Sequence, residues 1–159
     1  MRGVKELLID IQDRLQESIP KLWTDKDWGQ LQYPQPPVKF PCVLIDIERV
    51  DFSSLERDGQ IAEVDIFLTI ANRRLKASSV KAPDRREGYH LLDVLESVHK
   101  ALQLYHAGWY APLLRKSMSQ VYIDNTIEVY SVVYSTSFKQ SNDEGEKLFP
   151  SIVKVDINI

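Results

Sequence analysis

The sequence predicts an α+β fold: an antiparallel or mixed sheet with two main helices packed on one face, forming a single domain over residues 1–159. Three observations predict it. Apolar residues recur at spacings of three and four from Val4 and again from Leu91, the period of a helix that buries one stripe. Segments 42–50, 62–70 and 127–138 alternate with the period of a half-buried strand. A chain of 159 residues, 43% apolar and 27% charged, can bury one core without disulfides or metal and lacks the composition of a disordered chain.

In order along the chain, Val4, Leu7, Leu8, Ile11, Leu15 and Ile19 form the stripe of a first helix, which Pro20 ends. Residues 23–41 carry Trp23, Trp28, Tyr33 and prolines at 34, 36, 37 and 41, a mixture that disfavours helix and central strand and predicts an extended connection. Its aromatics either pack on the core as a flap or are offered to a partner. In 42–50, Val43, Ile45 and Ile47 share one face and Leu44, Asp46 and Glu48 the other. Asp58-Gly59 supplies a hairpin turn, and Ala62, Val64, Ile66, Leu68 and Ile70 define the clearest strand. The hairpin's connecting arm, 51–60, is polar on both sides and is expected to project past the sheet.

A polar loop over 72–83 leads to Asp84, which with Glu87 three residues later matches a capping box and predicts a second helix starting there. Leu91, Leu92, Leu95, Val98, Leu102 and Tyr105 continue its stripe to His106-Ala107-Gly108, giving about six turns. A second hairpin follows, with 121–123, a turn at Asp124-Asn125, and 127–138 bearing Tyr130, Val132, Tyr134 and Phe138 on one face. After the polar stretch 139–147, Ile152, Val153, Val155, Ile157 and Ile159 suggest a last strand or an apolar tail. The expected order is α-β-β-α-β-β, with a possible final β.

Charge and motifs narrow the chemistry. A net charge of −3 gives no global attraction to nucleic acid or anionic lipid. The N-terminus lacks the apolar run of a secretion signal, and no stretch reaches the length of a membrane span. Cys42, the only cysteine, sits in an apolar run that favours the inert thiol and a reducing compartment. His90, His99 and His106 are too divergent or too far apart on one helix to share a metal, and surface or capping roles are expected of them. Asp46, Glu48, Glu63 and Asp65 on adjacent strands are the best enzyme case, an acidic cluster of the kind that holds divalent metal in nucleases. The lysine such a site wants two residues beyond Glu63 is absent, and alternating acids commonly form the solvated face of a sheet. No phosphate-binding glycine loop, nucleophile elbow or paired C-x-x-C occurs. The reading is a protein that is not an enzyme and holds no cofactor. The densest charge is basic: Arg73, Arg74, Lys76, Lys81, Arg85 and Arg86 around one loop, able to face phosphate, solvent or an acidic partner.

The order of parts carries a resemblance. A helix ending at Ile19-Pro20, a proline-rich connection, the strand Pro41-Cys42-Val43-Leu44-Ile45-Asp46-Ile47, a long second strand, a helix beginning Gly88-Tyr89-His90-Leu91-Leu92-Asp93-Val94-Leu95, and the strand Tyr130-Ser131-Val132-Val133-Tyr134 resemble the tail terminator and tail-completion (minor tail) proteins of bacteriophages and prophages. The resemblance implies a small α+β subunit of a ring, often hexameric, that stops growth of the tail tube and offers a surface to the head connector. It implies as partners other copies of the chain, the tail-tube protein and the head–tail connector, with no membrane and with nucleic acid only as cargo passing through a lumen. It implies residence in the bacterial cytoplasm during assembly and then in the virion tail. That group has no catalytic motif, so no family residue carries over, and the two tryptophans of 23–41 depart from its pattern.

Candidate contacts are Glu56, Arg57 and Asp58 at the hairpin tip, toward an adjacent subunit or the tube; Arg73, Arg74, Lys76 and Lys81, toward the lumen or the next ring; and Trp23 and Trp28 as aromatic anchors. Two other readings stand beside the ring. One is a nucleic-acid-binding or nuclease-accessory module using the basic loop, and the other a monomeric adaptor that binds one protein through its tryptophans.

Overall fold

The computed structural model describes residues 2–57, 59–123 and 126–141. The turns expected at Asp58 and at Asp124-Asn125, most of the polar stretch 139–147 and the apolar segment 152–159 lie outside the described residues. The fold is α+β, as the two periodicities require. Helix α1 (Val4–Ser18) buries Leu7, Leu8, Ile11 and Leu15. Its first turn is tied by Glu6, whose Oε1 accepts the Gly3 N–H at 2.9 Å. Helix α2 (His90–Leu102) buries Leu91, Val94, Leu95, Val98, Ala101 and Leu102. Arg14 joins the helices: its Nε donates to the Ala101 carbonyl at 2.8 Å, and its guanidinium lies 4.6 Å from the Tyr105 ring centre.

Among the described residues, five strands form one mixed sheet: β1 (Trp23–Lys26), β2 (Cys42–Leu55), β3 (Gly59–Arg73), β4 (Leu114–Val121) and β5 (Ile127–Gln140), in the order β1-β2-β3-β5-β4. Only β1–β2 is parallel. Val43 and Ile45 on β2, Val64, Ile66, Leu68 and Ile70 on β3, and Val132, Tyr134 and Phe138 on β5 pack beneath both helices. The opposite face has its own smaller core at one end, where Leu31, Cys42, Leu44, Ala71, Ile127 and Val129 meet Trp23, Val38 and Phe40. Residues 23–41 therefore act as a flap over the second face of the sheet, with Trp23 packed on it as one of the two alternatives weighed for these aromatics had it, while Trp28 and Tyr33 stay exposed.

Four expectations need correction. The connection 23–41 is not wholly irregular, because Trp23–Lys26 pairs with Cys42–Ile45 as a short parallel edge strand. Its prolines all follow Tyr33, so nothing there blocks the ladder. The second helix is thirteen residues long and does not start at Asp84. Asp84 and Glu87 instead both face Lys76 Nζ, at 3.3 and 4.0 Å. The helix also stops before Gly108, because Leu104 turns to φ 66° and its N–H bonds the Leu113 carbonyl at 2.8 Å. The first strand of the second hairpin is Leu114–Val121 and not 121–123. All eight of its residues are exposed, so no apolar alternation marks it.

The fourth correction concerns the arm. It is no detached ribbon, because β5 runs beside β3 as far as Gln60 opposite Gln140. Gly59 permits this closure: it sits at φ 104°, and a Cβ there would lie 2.1 Å from the Gln140 carbonyl oxygen. The hydrophobic staple of this end is Trp109, edge-on to Tyr110 and Phe138 with ring centres 5.0 and 5.3 Å away. Tyr110 Oη donates to Asp10 Oδ2 at 2.6 Å, joining the loop before β4 to α1. Tyr110→Phe keeps the ring and deletes that charge-assisted bond. It is expected to cost about 2 kcal/mol in urea unfolding, and a change within error of zero would show the bond to be inert.

Candidate interaction surfaces

The residues expected to carry contacts fall in three separate places. Glu56 and Arg57 are exposed at the tip beyond Leu55, and Asp58 lies outside the described residues. Trp23 is half-buried against the second core. Trp28 is 53% exposed and Tyr33 54%, and the two rings meet edge to face at 5.8 Å. Asp25 fixes this pair through a 3.3 Å bond from Trp28 Nε1, and Gln30 fixes the turn that carries it. The structure thus divides the tryptophans, with Trp23 inside and Trp28 offered to solvent.

The basic loop is less free than its sequence implied. Arg73 stacks over Phe40 at 4.9 Å. Arg74 reaches Ser78 Oγ at 2.6 Å and Glu128 at 3.8 Å. Lys76 faces Asp84 and Glu87. Arg73, Arg74, Lys76, Glu87 and Glu128 line a cleft of about 320 Å³ with Asn72, His90 and Leu91, two acids facing three cations. Lys81, Arg85 and Arg86 are exposed. The loop packs closely over Gly88, where a Cβ would lie 2.5 Å from the Ala77 carbonyl oxygen.

The acidic strand residues are likewise dispersed. Asp46 pairs with Lys26 at 2.7 Å, Asp65 with Lys116 at 3.3 Å, and Glu48 occupies a bulge between Ile47 and Arg49. Among the described residues, no three His, Cys, Asp or Glu side chains converge as ligands for one ion. Burial pushes the Cys42 thiol up to about 12, so it is a core residue in its chemistry as well as its place. Among the histidines, His106 Nδ1 accepts the Gly108 N–H at 3.2 Å, a local turn role. His99 departs from the surface or capping role expected: its Nδ1 lies 3.0 Å from the buried Tyr134 hydroxyl. Burial first, and then Arg115, lower its pKa.

Burial pushes the Tyr134 hydroxyl up to about 12, and burial together with the Asp10 bond also raises that of Tyr110. Both phenols stay neutral in the folded state where an unfolded tyrosine ionises near pH 10. Their contribution is therefore complete below about pH 10 and falls as pH rises from there toward 12. The urea midpoint is expected to drop across that window and to drop less in a Tyr110→Phe/Tyr134→Phe double variant. Equal slopes for the two proteins would contradict the assignment.

The sheet edges were not singled out by sequence. Along β4, Leu114 is 49%, Met118 50% and Val121 38% exposed. The Arg115 N–H points away from β5, donating to Gln103 Oε1 at 3.0 Å. Met118 and Gln120 share its face of the sheet, since all three lie opposite the inward-facing Tyr134, Val132 and Tyr130 of β5, so their N–H and C=O groups also point outward. A bulge at Lys116 and two cations blunt the first half of β4, whereas 117–121 carries no charge. At the opposite edge, β1 covers β2 only through Ile45, whose carbonyl accepts the Asp27 N–H at 2.9 Å. Beyond the bulge, 49–55 has β3 on one side and no strand on the other among the described residues, and Phe52 is 51% exposed. Five of the eight residues of Leu114–Val121 are polar or charged, and Leu114, Met118 and Val121 follow no two-residue period, so the sequence carries no strand signal there.

No protein-family model matches the sequence, and no curated protein matches it. Among solved structures, a chain of the virion of a native gene transfer agent particle is similar, with a TM-score of 0.46 and 10% identity over 82% of this chain and 92% of that one. Among the described residues, no helix is long and apolar enough to cross a membrane.

Proposed function

We propose that the chain is a structural assembly protein of a phage or prophage tail: a subunit of a closed homo-oligomeric ring that ends the tail tube and receives the head connector, acting by assembly and not by catalysis. The observation that carries this reading is the pair of sheet edges that have no strand partner among the described residues, β4 on one side and the far part of β2 on the other. Two different surfaces on opposite sides of one subunit make a heterologous contact, and repetition of such a contact closes rings. The order of elements that resembles tail terminators supports the same reading. The dispersal of the acids and the mutual pairing of the basic loop with Glu128, Asp84 and Glu87 argue against the nuclease-accessory alternative.

The exposed Trp28–Tyr33 pair favours the second reading, a monomeric adaptor. Mass by light scattering after size exclusion, on the protein alone and mixed with tail-tube protein, separates the two. A closed oligomer, alone or induced by the tube, supports the ring, and a monomer indifferent to both moves the reading to the adaptor. Charge reversal at Arg73, Arg74 and Lys76 tests the loop separately, since unchanged tube binding would remove it from the interface.

A further inference from the structure

We propose that β4 of one copy pairs antiparallel with the 48–55 edge of β2 in the next, joining the sheets into one continuous wall around a channel. This rests on the ring reading and names its interface. The first argument is direction. β2 and β5 run one way and β3 and β4 the other, so a neighbour related by rotation presents a β2 antiparallel to β4. Antiparallel is the more stable pairing, and it arises here without reversing the neighbour.

The second argument is register. In an antiparallel pair, residues whose N–H and C=O both face the partner stand opposite one another. On β4 these are Met118 and Gln120. On β2, Ile45 directs its carbonyl toward the β1 side, and Val50 and Phe52 occupy the same face of the sheet beyond the bulge. Setting Met118 against Phe52 places Gln120 against Val50 and joins two half-exposed apolar side chains on one face. It also carries Arg115 toward the neighbour's Leu55 and Glu56 and away from its Arg49.

The third argument is closure. Within one copy Met118 is level with Ile45, by way of Val132 and Leu68. Pairing it with Phe52 offsets the next copy by six residue levels once the bulge residue Glu48 is discounted. Six levels amount to about 20 Å along strands, over four strands about 19 Å wide, so the strands tilt by about 45°, at the upper end of the range of closed barrels.

The hand of the tilt is also right. Ile45 faces the helices and its carbonyl faces β1, so with β2 running upward and the helices toward the viewer, L-residues put β1 on the right and β4 at the far left. The neighbour on the left then stands lower, which is a right-handed tilt seen from outside with the helices outward, the sense that strand twist favours. The channel face is consequently the one bearing Asp51, Glu63, Asp65, Ser135 and Ser137. On that face Asp51 is paired with Arg49 at 2.9 Å and Asp65 with Lys116 at 3.3 Å, so its charges are of both signs.

The test uses the full chain carrying Met118→Cys or Phe52→Cys, with and without tail-tube protein. Cys42 is buried and does not interfere. Mild oxidation of the two single variants mixed together is expected to give a mixed disulfide dimer, each single alone none, and the double variant a ladder ending at the ring size. Dimers from Met118→Cys alone mean a two-fold contact and overturn the proposal. A ring by light scattering without mixed disulfide overturns this interface and leaves the ring reading standing, whereas a monomer under every condition removes the ring reading and the proposal with it. Gln120→Pro deletes an outward N–H and no bond to β5, so it is expected to melt as the parent does and not assemble. A ring that persists in this variant also overturns the proposal.

Discussion

Leu68→Ala is expected to lower the free energy of unfolding by about 3–4 kcal/mol, the largest effect of any single truncation considered for this fold. Leu68 is fully buried at the middle of β3, between Ile45 of β2 and Val132 of β5 and under the helix layer. The cavity it leaves is walled on two sides by hydrogen-bonded strands, which cannot move inward without breaking ladders, so collapse is limited and the cost lies toward the upper part of the usual range. The urea midpoint should fall with little change in its slope. Phe67 is the internal control: it is next in sequence, faces the other side and is only half-buried. If Phe67→Ala cost as much as Leu68→Ala, the assignment of the main core to the helix side would be wrong.

Gln30→Leu is expected to cost about 2–4 kcal/mol and to act on the flap before the sheet. Gln30 is fully buried; its Nε2 donates to Asp25 Oδ2 at 2.9 Å and to the Lys26 carbonyl at 2.8 Å, and its Oε1 accepts the Trp28 N–H at 2.9 Å. Leucine fills much of the space and makes none of these bonds, leaving the Trp28 N–H and the Lys26 carbonyl without a partner in an apolar setting. Tryptophan fluorescence should report loosening around Trp23 and Trp28 at denaturant concentrations where far-UV circular dichroism is still native. Coincident transitions at an unshifted midpoint would show that Gln30 fills space and nothing more.

Sequence reasoning reached most of the fold because most of it obeys one-sided burial. The stripes of Val4–Ser18 and the alternation of Gly59–Arg73 are direct consequences of facing a core on one side and water on the other. It failed where that condition fails. β4 has no buried side, so its side chains record only solubility. β1 is four residues long, and the ladder it joins is set by Cys42–Ile45, not by its own composition. Asp84 and Glu87 satisfied the spacing of a helix cap, but a lysine from the preceding loop offered them a charge, and spacing alone cannot see a partner eight residues upstream. The candidate surfaces followed the same rule. Charged clusters were visible in sequence while the neighbours that neutralise them were not, and the open edges are backbone features that side-chain composition hardly marks.

The flap has a mechanical consequence. Near Cys42 and Ala71 the sheet is held between helices on one side and residues 23–41 on the other, whereas toward Leu55 and Gln140 the described residues support it from one side only. It is a plate clamped at one end. Such a plate yields at the lip of its clamp, and here that lip coincides with the bulge at Glu48, where the ladder is already interrupted. A load applied beyond Leu55 therefore bends β2 first at the bulge, while the unbroken β3–β5 ladder beside it carries the rest.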